Sequence, residues 1–157
     1  MVLKNNRLTR LFFLSKNMTK VYATKMKMTR IWKEDEAIPV SPLKLKEAGK
    51  VEEFKEGDMV KITGVIKGRG FQGVVKRYSF AGGPKTHGQK NRYRAPGSIG
   101  STAPQRVIPG RKMAGRMGGN NKTIRNLEIV LINKDQAVLM IRGSVPGNIN
   151  GKLVISK

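Results

Sequence analysis

This sequence of 157 residues contains no cysteine, one histidine and only ten acidic residues. Without cysteine the chain forms no disulfide and offers no thiolate to a metal ion, which fits a reducing compartment. One imidazole and ten carboxylates supply little material for acid–base catalysis. No apolar run approaches the roughly 18 residues that cross a bilayer. We therefore expect no catalytic site, no metal, no cofactor, no small-molecule substrate and no membrane partner.

Acidic residues are absent from one long block of the chain. No Asp or Glu occurs between Asp58 and Glu128, Lys and Arg recur throughout, and the whole chain has a formal net charge of +22. Self-repulsion on this scale opposes compaction unless a polyanion neutralises it. An anionic membrane is one such polyanion, but the basic stretch shows no amphipathic helical period. The pattern therefore favours nucleic acid, and neutralisation of phosphates would make binding strong and salt-sensitive.

Hydrophobic periodicity is also lacking in part of this block. From residue 81 to residue 121 the apolar residues follow neither a period of 2 nor one of 3.6, while glycine and proline recur. Such a segment builds no core of its own, and a structureless loop of roughly 40 residues is uncommon in a compact domain. We interpret it as a loop that RNA orders, since its glycines allow close backbone approach. A plain solvated charge run is the alternative.

The residues expected to contact RNA are the fourteen cations from Lys67 to Arg125 and the single histidine. Arginine binds phosphate bidentately or stacks on bases, whereas lysine acts as a point charge. His87 has no acidic residue near it in the sequence, so a contact to RNA is its functional interpretation and stabilisation of its own loop is the alternative. The expected RNA-binding residues are Lys67, Arg69, Lys76, Arg77, Lys85, His87, Lys90, Arg92, Arg94, Arg106, Arg111, Lys112, Arg116, Lys122 and Arg125.

The glycines of GRGFQG, residues 68–73, invite comparison with a dinucleotide-binding loop. Such a loop requires a preceding strand, a following helix and an acidic residue about 20 positions further on. Here residues 74–78 look like strand, and the region near residue 90 is basic. We therefore reject the dinucleotide interpretation.

The rest of the chain is rich in short β patterns. Strands are predicted at residues 26–32 and 37–40 around a polar turn, at 59–66 and 71–78 as a hairpin, at 123–133 and 136–142 as a second hairpin, and at 151–157. Residues 41–55 are mixed, with Ser41 capping a helical turn that Gly49 ends. Short strands with glycine-rich turns predict a mainly β fold, a small barrel or sandwich built from both ends of the sequence.

The N-terminal part of the chain is basic and contains no acidic residue up to position 33. Organelle transit peptides have this composition, but a disordered basic tail has it too, and so has an upstream start ahead of a true start at Met18. We expect residues 1–17 to be a tail, either disordered or targeting. A single domain is then predicted at residues 18–157.

Several long motifs resemble one known family. The run GFQGVVKRYSFAGGPKTHGQKNRYRAPGSIGSTAPQRVIPGRKMAGRMG, followed by NLEIV and RGSVPG, is similar to the bacterial-type ribosomal protein L-three family of the large subunit. The likeness covers residues 57–157 almost continuously, and KMKMTRIWKEDEAIPVS resembles that family's N-terminal strand pair. Where the family has a longer stretch of barrel before the Glu56-Gly57-Asp58 segment, this chain has only residues 41–55.

The resemblance implies a structural protein rather than an enzyme. Its implied fold is a small, trimmed β-barrel of the translation-protein type with a long irregular basic extension at residues 81–122. It also implies binding to large-subunit rRNA of the 23S type, contacts with neighbouring large-subunit proteins and an early role in subunit assembly. The extension would reach toward the peptidyl-transferase region, with residues 106–116 in its inner part. The implied location is the cytoplasmic ribosome, with an organellar ribosome as the alternative.

Two classes of rival interpretation remain at the level of the sequence. One is a free RNA chaperone or an RNA-modifying enzyme with a basic loop. The enzyme would need a clustered carboxylate, thiol or cofactor site, which the sequence does not offer. The other is a non-functional truncated copy, which the short segment at residues 41–55 favours.

Overall fold

The computed structural model describes residues 20–157 and divides the chain into two compact units. Unit 1 runs up to Val65 and continues at Asn121–Lys157, and unit 2 is Ile66–Asn120. Unit 2 begins well before residue 81 because residues 66–72 pair through backbone hydrogen bonds with residues 115–120. The single domain at residues 18–157, with its extension at 81–122, stays a prediction, and the expectations for residues 1–17 lie outside the described residues.

The described residues form nine strands and two short helices, and the mainly β prediction is confirmed. The elements of unit 1 are β1 (Lys20–Lys25), β2 (Thr29–Lys33), β3 (Glu36–Leu45), a 3-10 helix (Ala48–Glu53), β4 (Met59–Val65), β7 (Asn121–Asn133), β8 (Val138–Arg142) and β9 (Lys152–Ser156). The elements of unit 2 are β5 (Phe71–Gln72), α1 (Val74–Tyr78) and β6 (Gly115–Arg116). In the part of the chain that is described, no helix is both long and apolar enough to cross a membrane.

The strands of unit 1 form one antiparallel sheet in the order β1-β9-β4-β7-β8-β3-β2. A further pairing of β1 with β3 joins the sheet to itself, so that six strands close into a ring. Closure of this kind removes exposed strand edges and encloses a core. β2 pairs with β3 across a tight turn, which confirms the first predicted hairpin. β7 and β8 likewise form the predicted second hairpin.

Alternation along the strands explains the core of unit 1. Successive side chains of a strand point to opposite faces, and β9 therefore buries Leu153 and Ile155 on one of them. Each large aliphatic side chain removed from water contributes about 1.5–3 kcal/mol. Gly64 makes room for this packing, since a Cβ at that position would lie 2.3 Å from Cδ2 of Leu153. The core residues are Val21, Ala23, Leu43, Leu45, Val51, Phe54, Val60, Ile62, Ile129, Ala137, Leu139, Ile141, Val145, Leu153 and Ile155.

The predicted hairpin of residues 59–66 and 71–78 is wrong. β4 pairs with β7 and β9, and only Phe71–Gln72 of the second half is strand. Val74–Tyr78 is a short helix that ends at Ser79 in the left-handed conformation. The adjacent valines suggested a strand, but a short apolar run does not distinguish strand from helix.

The prediction for residues 41–55 is also wrong in two respects. Ser41 caps no helix; it lies buried in β3, where its hydroxyl donates a hydrogen bond of 2.6 Å to the carbonyl oxygen of Gly143. Gly49 lies inside the 3-10 helix rather than ending a helical turn. Strand pairing of β3 with both β1 and β8 outweighs the local preference of serine for a cap.

Candidate nucleic-acid interface

Unit 2 begins and ends in a two-stranded antiparallel ladder. Phe71 and Gln72 of β5 pair with Arg116 and Gly115 of β6. Toward the chain ends of the unit, the amide of Arg69 donates to the carbonyl oxygen of Met117 at 2.8 Å, and further backbone bonds link residues 66, 119 and 120. The ladder brings together segments more than 40 residues apart in sequence, which explains why a local reading of the sequence missed it.

Glycine is required where this ladder is most crowded. Gly118 has φ +75°, and a Cβ there would lie 2.2 Å from the backbone oxygen of Lys67. A side chain at this position is excluded on both counts, because the left-handed conformation is costly and the oxygen belongs to the backbone. The close approach of the two chain segments therefore depends on a missing side chain.

Unit 2 has almost no hydrophobic interior. Val74 is the only buried residue of Ile66–Asn120, and nearly every residue from 84 to 114 is exposed. Local order comes from turns, such as the one in which the amide of Gln89 donates to the carbonyl oxygen of Thr86 at 3.3 Å. The expectation that this part of the chain builds no core of its own agrees with this burial pattern.

The cations of unit 2 have no acidic residue to neutralise them. Twelve Lys and Arg residues and no Asp or Glu lie in residues 66–120. The side chains of Arg77, Arg111 and Lys112 have hydrogen-bond or cation–π partners within the unit. The other nine side chains make no hydrogen bond, ion pair or cation–π contact with the described residues: Lys67, Arg69, Lys76, Lys85, Lys90, Arg92, Arg94, Arg106 and Arg116. All nine are exposed.

Arg77 has a structural environment that sets it apart from the other predicted RNA contacts. Its guanidinium donates a hydrogen bond of 2.6 Å to the carbonyl oxygen of Met113 and lies 4.9 Å from the ring centre of Tyr78. The ammonium of Lys112 lies 5.7 Å from the same ring. These contacts tie helix α1 to the segment that leads into β6. The contact of Arg77 with RNA stays a prediction. In the structure its side chain holds these two segments together.

The distal part of unit 2, residues 81–110, is a series of turns held by backbone contacts. Gly82 and Gly83 pass so close to Arg92 and Tyr93 that a Cβ on either glycine would lie within 2.7 Å of a backbone oxygen. The amide of Gly83 donates to the carbonyl oxygen of Tyr93 at 3.1 Å. His87 occupies a turn at φ +61° and is exposed. Both interpretations of His87, the RNA contact and the loop-stabilising residue, stay open.

The predicted site residues are distributed over both units. Lys122 and Arg125 lie on β7 in unit 1, where both side chains are exposed, and all the others lie in unit 2. The helix that the dinucleotide interpretation requires does follow the glycines of residues 68–73, contrary to the sequence-based prediction. It spans only five residues, and the required acidic residue is still missing from residues 59–127.

Unit 2 exposes several apolar side chains, and three of them, Phe71, Ile99 and Ile108, were not predicted from the sequence as part of the site. Phe71 is 76% exposed, the largest fraction among the exposed hydrophobic residues of the described chain. Ile99, Ile108 and Met113 are exposed as well. The sequence offered one signal for Phe71. Gly70 and Gly73 lie on either side of it and Arg69 and Lys76 lie close by, and such surroundings are unusual for a core residue.

The comparisons with known proteins point to one family. Residues 43–140 match the family described as ribosomal protein L3. The large ribosomal subunit protein uL3 of Chlorobium limicola is 56% identical over 106 residues, 67% of this chain and 51% of that protein. The proteins of the same name from Dehalococcoides mccartyi and Chloroherpeton thalassium are 52% and 55% identical over 68% of this chain, which is 53% and 51% of their own lengths. This chain thus spans about half the length of the curated relatives that it matches.

Proposed function

Because this chain belongs to the ribosomal protein L3 family, we propose that it is a structural constituent of the large ribosomal subunit and binds large-subunit rRNA directly. The observation that carries the proposal is the character of unit 2: twelve cations, no acidic residue and one buried side chain. The relatives are named as large-subunit ribosomal proteins, which supports the subunit and a role other than catalysis.

The physical basis of binding is neutralisation of phosphates with release of counterions. Each phosphate contact contributes about 0.9 to the slope of log K against log salt on a duplex, and about 0.7 on a single strand. Nine unpartnered, exposed cations make a steep salt dependence the expected signature. The same contacts replace the packing that unit 2 lacks, because a polyanion lowers its self-repulsion and fills the space around its turns.

Unit 1 has a hydrophobic core of its own and carries unit 2 as an insertion between β4 and β7. The ends of unit 2, Ile66 and Asn120, directly follow and precede these two strands. The proposal extends to an early role in subunit assembly, to contacts with neighbouring large-subunit proteins and to an approach of residues 81–122 toward the peptidyl-transferase region. Its location is then the cytoplasmic ribosome, or an organellar ribosome as the alternative.

Sedimentation tests the placement on the subunit. A tagged form of the full chain, expressed in cells, is expected to co-sediment with large subunits and their precursors. Its presence only in free fractions would contradict the proposal and favour a free RNA chaperone or a non-functional copy. A complementation experiment then uses cells depleted of their own large-subunit homologue. A working subunit constituent is expected to restore growth, whereas a free RNA chaperone or a non-functional copy is not.

A charge-neutral variant tests the RNA contact itself. Lys85, Lys90, Arg92 and Arg94 are exposed and their side chains have no partner among residues 20–157, so changing all four to Gln removes charge without removing a contact that the structure shows. The slope of log K against log salt for a large-subunit rRNA transcript is expected to fall by about 3 to 4. A matched control changes four exposed lysines of unit 1, Lys20, Lys33, Lys46 and Lys134, to Gln. An equal fall of the salt slope in the two variants would mean that net charge alone, and not the cations of unit 2, determines RNA binding.

A further inference from the structure

One face of the ladder between β5 and β6 is covered within unit 2. Gly115 is the cross-strand partner of Gln72, and a Cβ added at Gly115 would lie 2.8 Å from the guanidinium nitrogen Nη1 of Arg77. The amide nitrogen Nε2 of Gln72 donates a hydrogen bond of 2.5 Å to the carbonyl oxygen of Arg69. The side of the ladder that Gly115 faces is therefore occupied by groups of the chain itself.

The opposite face of the ladder carries Phe71 and Arg116. These two residues are directly paired, and side chains at directly opposite positions of an antiparallel pair lie on the same face. Neighbours along a strand point to opposite faces, so this face is the one that Arg77 leaves uncovered. Both residues are exposed, and Phe71 is 76% exposed. The register of the ladder thus places an aromatic and a cationic side chain on one face, and both are exposed to solvent.

We propose that Phe71 and Arg116 form a stacking site for one unpaired nucleotide of RNA, a proposal that rests on the proposed function and refines it. The base stacks on the ring of Phe71, and the guanidinium of Arg116 binds the adjacent phosphate or stacks beside the base. Aromatic rings bind bases of every kind in this way because each base has a π-face. Bases inside a duplex are already stacked and paired, so the occupant is an unpaired nucleotide.

Charge selects RNA over an apolar protein segment as the occupant. Lys67, Arg69 and Lys76 lie within five residues of Phe71 in sequence, and no acidic residue lies between positions 59 and 127. An apolar peptide would leave these cations unneutralised, whereas the phosphates on either side of a stacked base neutralise them. The backbone beside the ring also admits close approach, since Gly68, Gly70 and Gly73 have no atom within 4 Å of an added Cβ.

Substitutions at Phe71 in the full chain test the site against two probes. The probes are a single-stranded oligoadenylate of 12 nucleotides and an RNA duplex of 12 base pairs, titrated at the same salt concentration. Phe71→Ala and Phe71→Leu are expected to weaken binding of the single strand about 5- to 150-fold, the range for loss of one base–aromatic stack. Binding of the duplex is expected to change by less than about twofold, and Phe71→Trp is expected to retain both affinities.

Fluorescence provides a readout that a merely structural role would not change. Trp32 is the only tryptophan, so the double variant Trp32→Phe, Phe71→Trp carries its sole indole at the proposed site. Oligoadenylate is expected to quench this fluorescence, because the base stacks on the indole, and the duplex is expected to leave it nearly unchanged. The unsubstituted chain, with its indole in unit 1, is the control.

The possible outcomes separate the site from the wider proposal. If Phe71→Leu bound the single strand with wild-type affinity, an apolar side chain without a ring would be sufficient at this position, which would overturn the stacking site. Equal loss for both probes in Phe71→Ala would assign it to the fold of the ladder, which also overturns it. In either case salt-dependent binding of RNA by the wild-type chain would leave the proposed function standing. Failure of the wild-type chain to bind either probe would overturn both proposals.

Discussion

Unit 1 and unit 2 differ in what holds them together. Unit 1 carries all ten acidic residues of the chain, a closed ring of strands and the whole hydrophobic core. Unit 2 has one buried side chain, and its order comes from a short ladder, from turns and from the contacts of Arg77. One chain therefore combines a fold that burial of apolar side chains stabilises with an inserted segment that is rich in cations and has almost no buried side chains.

Ion pairs follow the same division. The ion pairs found among the described residues join Lys50 to Glu47, Arg142 to Glu128 and Lys157 to Asp58, all within unit 1. The hydrogen bond that Lys50 donates to the carboxylate of Glu47 raises the pKa of Lys50, and the hydrogen bond that Lys157 donates to Asp58 lowers the pKa of Asp58. Exposed pairs of this kind contribute little to stability, so the core distinguishes unit 1 more than its charges do.

Removal of a core side chain is expected to have the largest effect. Leu43 is fully buried in unit 1, and Leu43→Ala should lower the free energy of unfolding by about 2–5 kcal/mol through lost transfer energy and a cavity. Urea denaturation measures this difference. Ile108→Ala in unit 2 is the control, since this side chain is 57% exposed and its loss should change stability by less than about 0.5 kcal/mol. Similar effects of the two changes would refute the contrast between the units.

Charge reversal in unit 2 is expected to act on RNA binding and not on the core. Arg111→Glu with Arg116→Glu should weaken binding of large-subunit rRNA about 100-fold and reduce the salt slope by about 2, because two cations lose their phosphates. The melting temperature of unit 1, followed by its β-sheet signal, should stay unchanged. Lys46→Glu with Lys134→Glu changes the net charge equally at exposed positions of unit 1. An unchanged salt slope in the arginine variant would mean that these residues do not contact RNA.

A methyl group at Gly118 is expected to open the ladder of unit 2. The left-handed φ and the 2.2 Å approach to the oxygen of Lys67 exclude a Cβ, at a cost of about 1–3 kcal/mol. Hydrogen exchange of the Arg69 and Met117 amides, both donors in this region, should become faster while the amides of β9 keep their protection. Gly68→Ala is the control, because nothing lies within 4 Å of its added Cβ. Equal exchange in both variants would argue against the crowding at Gly118.

The smallest expected effect concerns the pH dependence of unit 1. The pKa of Asp58 lies below its ordinary value of 3.8 because Lys157 and the amide of Lys55 donate hydrogen bonds to its carboxylate. A carboxyl group whose pKa is lower in the folded state stabilises the fold at pH values above its ordinary pKa. This stabilisation is lost as the pH falls through the pKa of the folded state. Asp58→Asn should therefore lower the melting temperature slightly at pH 7. The difference in melting temperature between the variant and the wild type should vanish once the pH falls below the folded-state pKa of Asp58. A difference that grew on acidification would contradict this sign.

Much of unit 1 follows from local patterns of the sequence. Alternation at Leu153 and Ile155, and the paired apolar runs on either side of residues 134–135, predict strands and a hairpin that the structure contains. β1 was missed because Val21 and Ala23 give too short an alternation among cations to be distinguished from a tail. Ser41 was misassigned because its burial depends on β1 and β8, which approach β3 from distant parts of the chain.

The site was predictable as a region but not as a geometry. The absence of acidic residues and of a hydrophobic period predicted the basic block and the cations from Lys67 to Arg125 as the site. The structure divides the twelve cations of unit 2 into three with partners among the described residues and nine without, which composition does not reveal. It also identifies Phe71 as an exposed ring beside Arg116, a pairing of residues 45 positions apart. Neither follows from a local pattern, because both depend on which segment pairs with which.

Local sequence patterns already distinguish the two units, because alternation of apolar residues predicts strands and a run of cations without acidic residues favours a polyanionic partner. The folded structure was needed to establish which strands close the ring, that Val74–Tyr78 is helix and that β5 pairs with β6. Those outcomes depend on contacts between distant segments, whose free energy outweighs local preference. The ladder that carries Phe71 and Arg116 is the clearest case, since the pairing of residues 45 positions apart places both side chains on one exposed face.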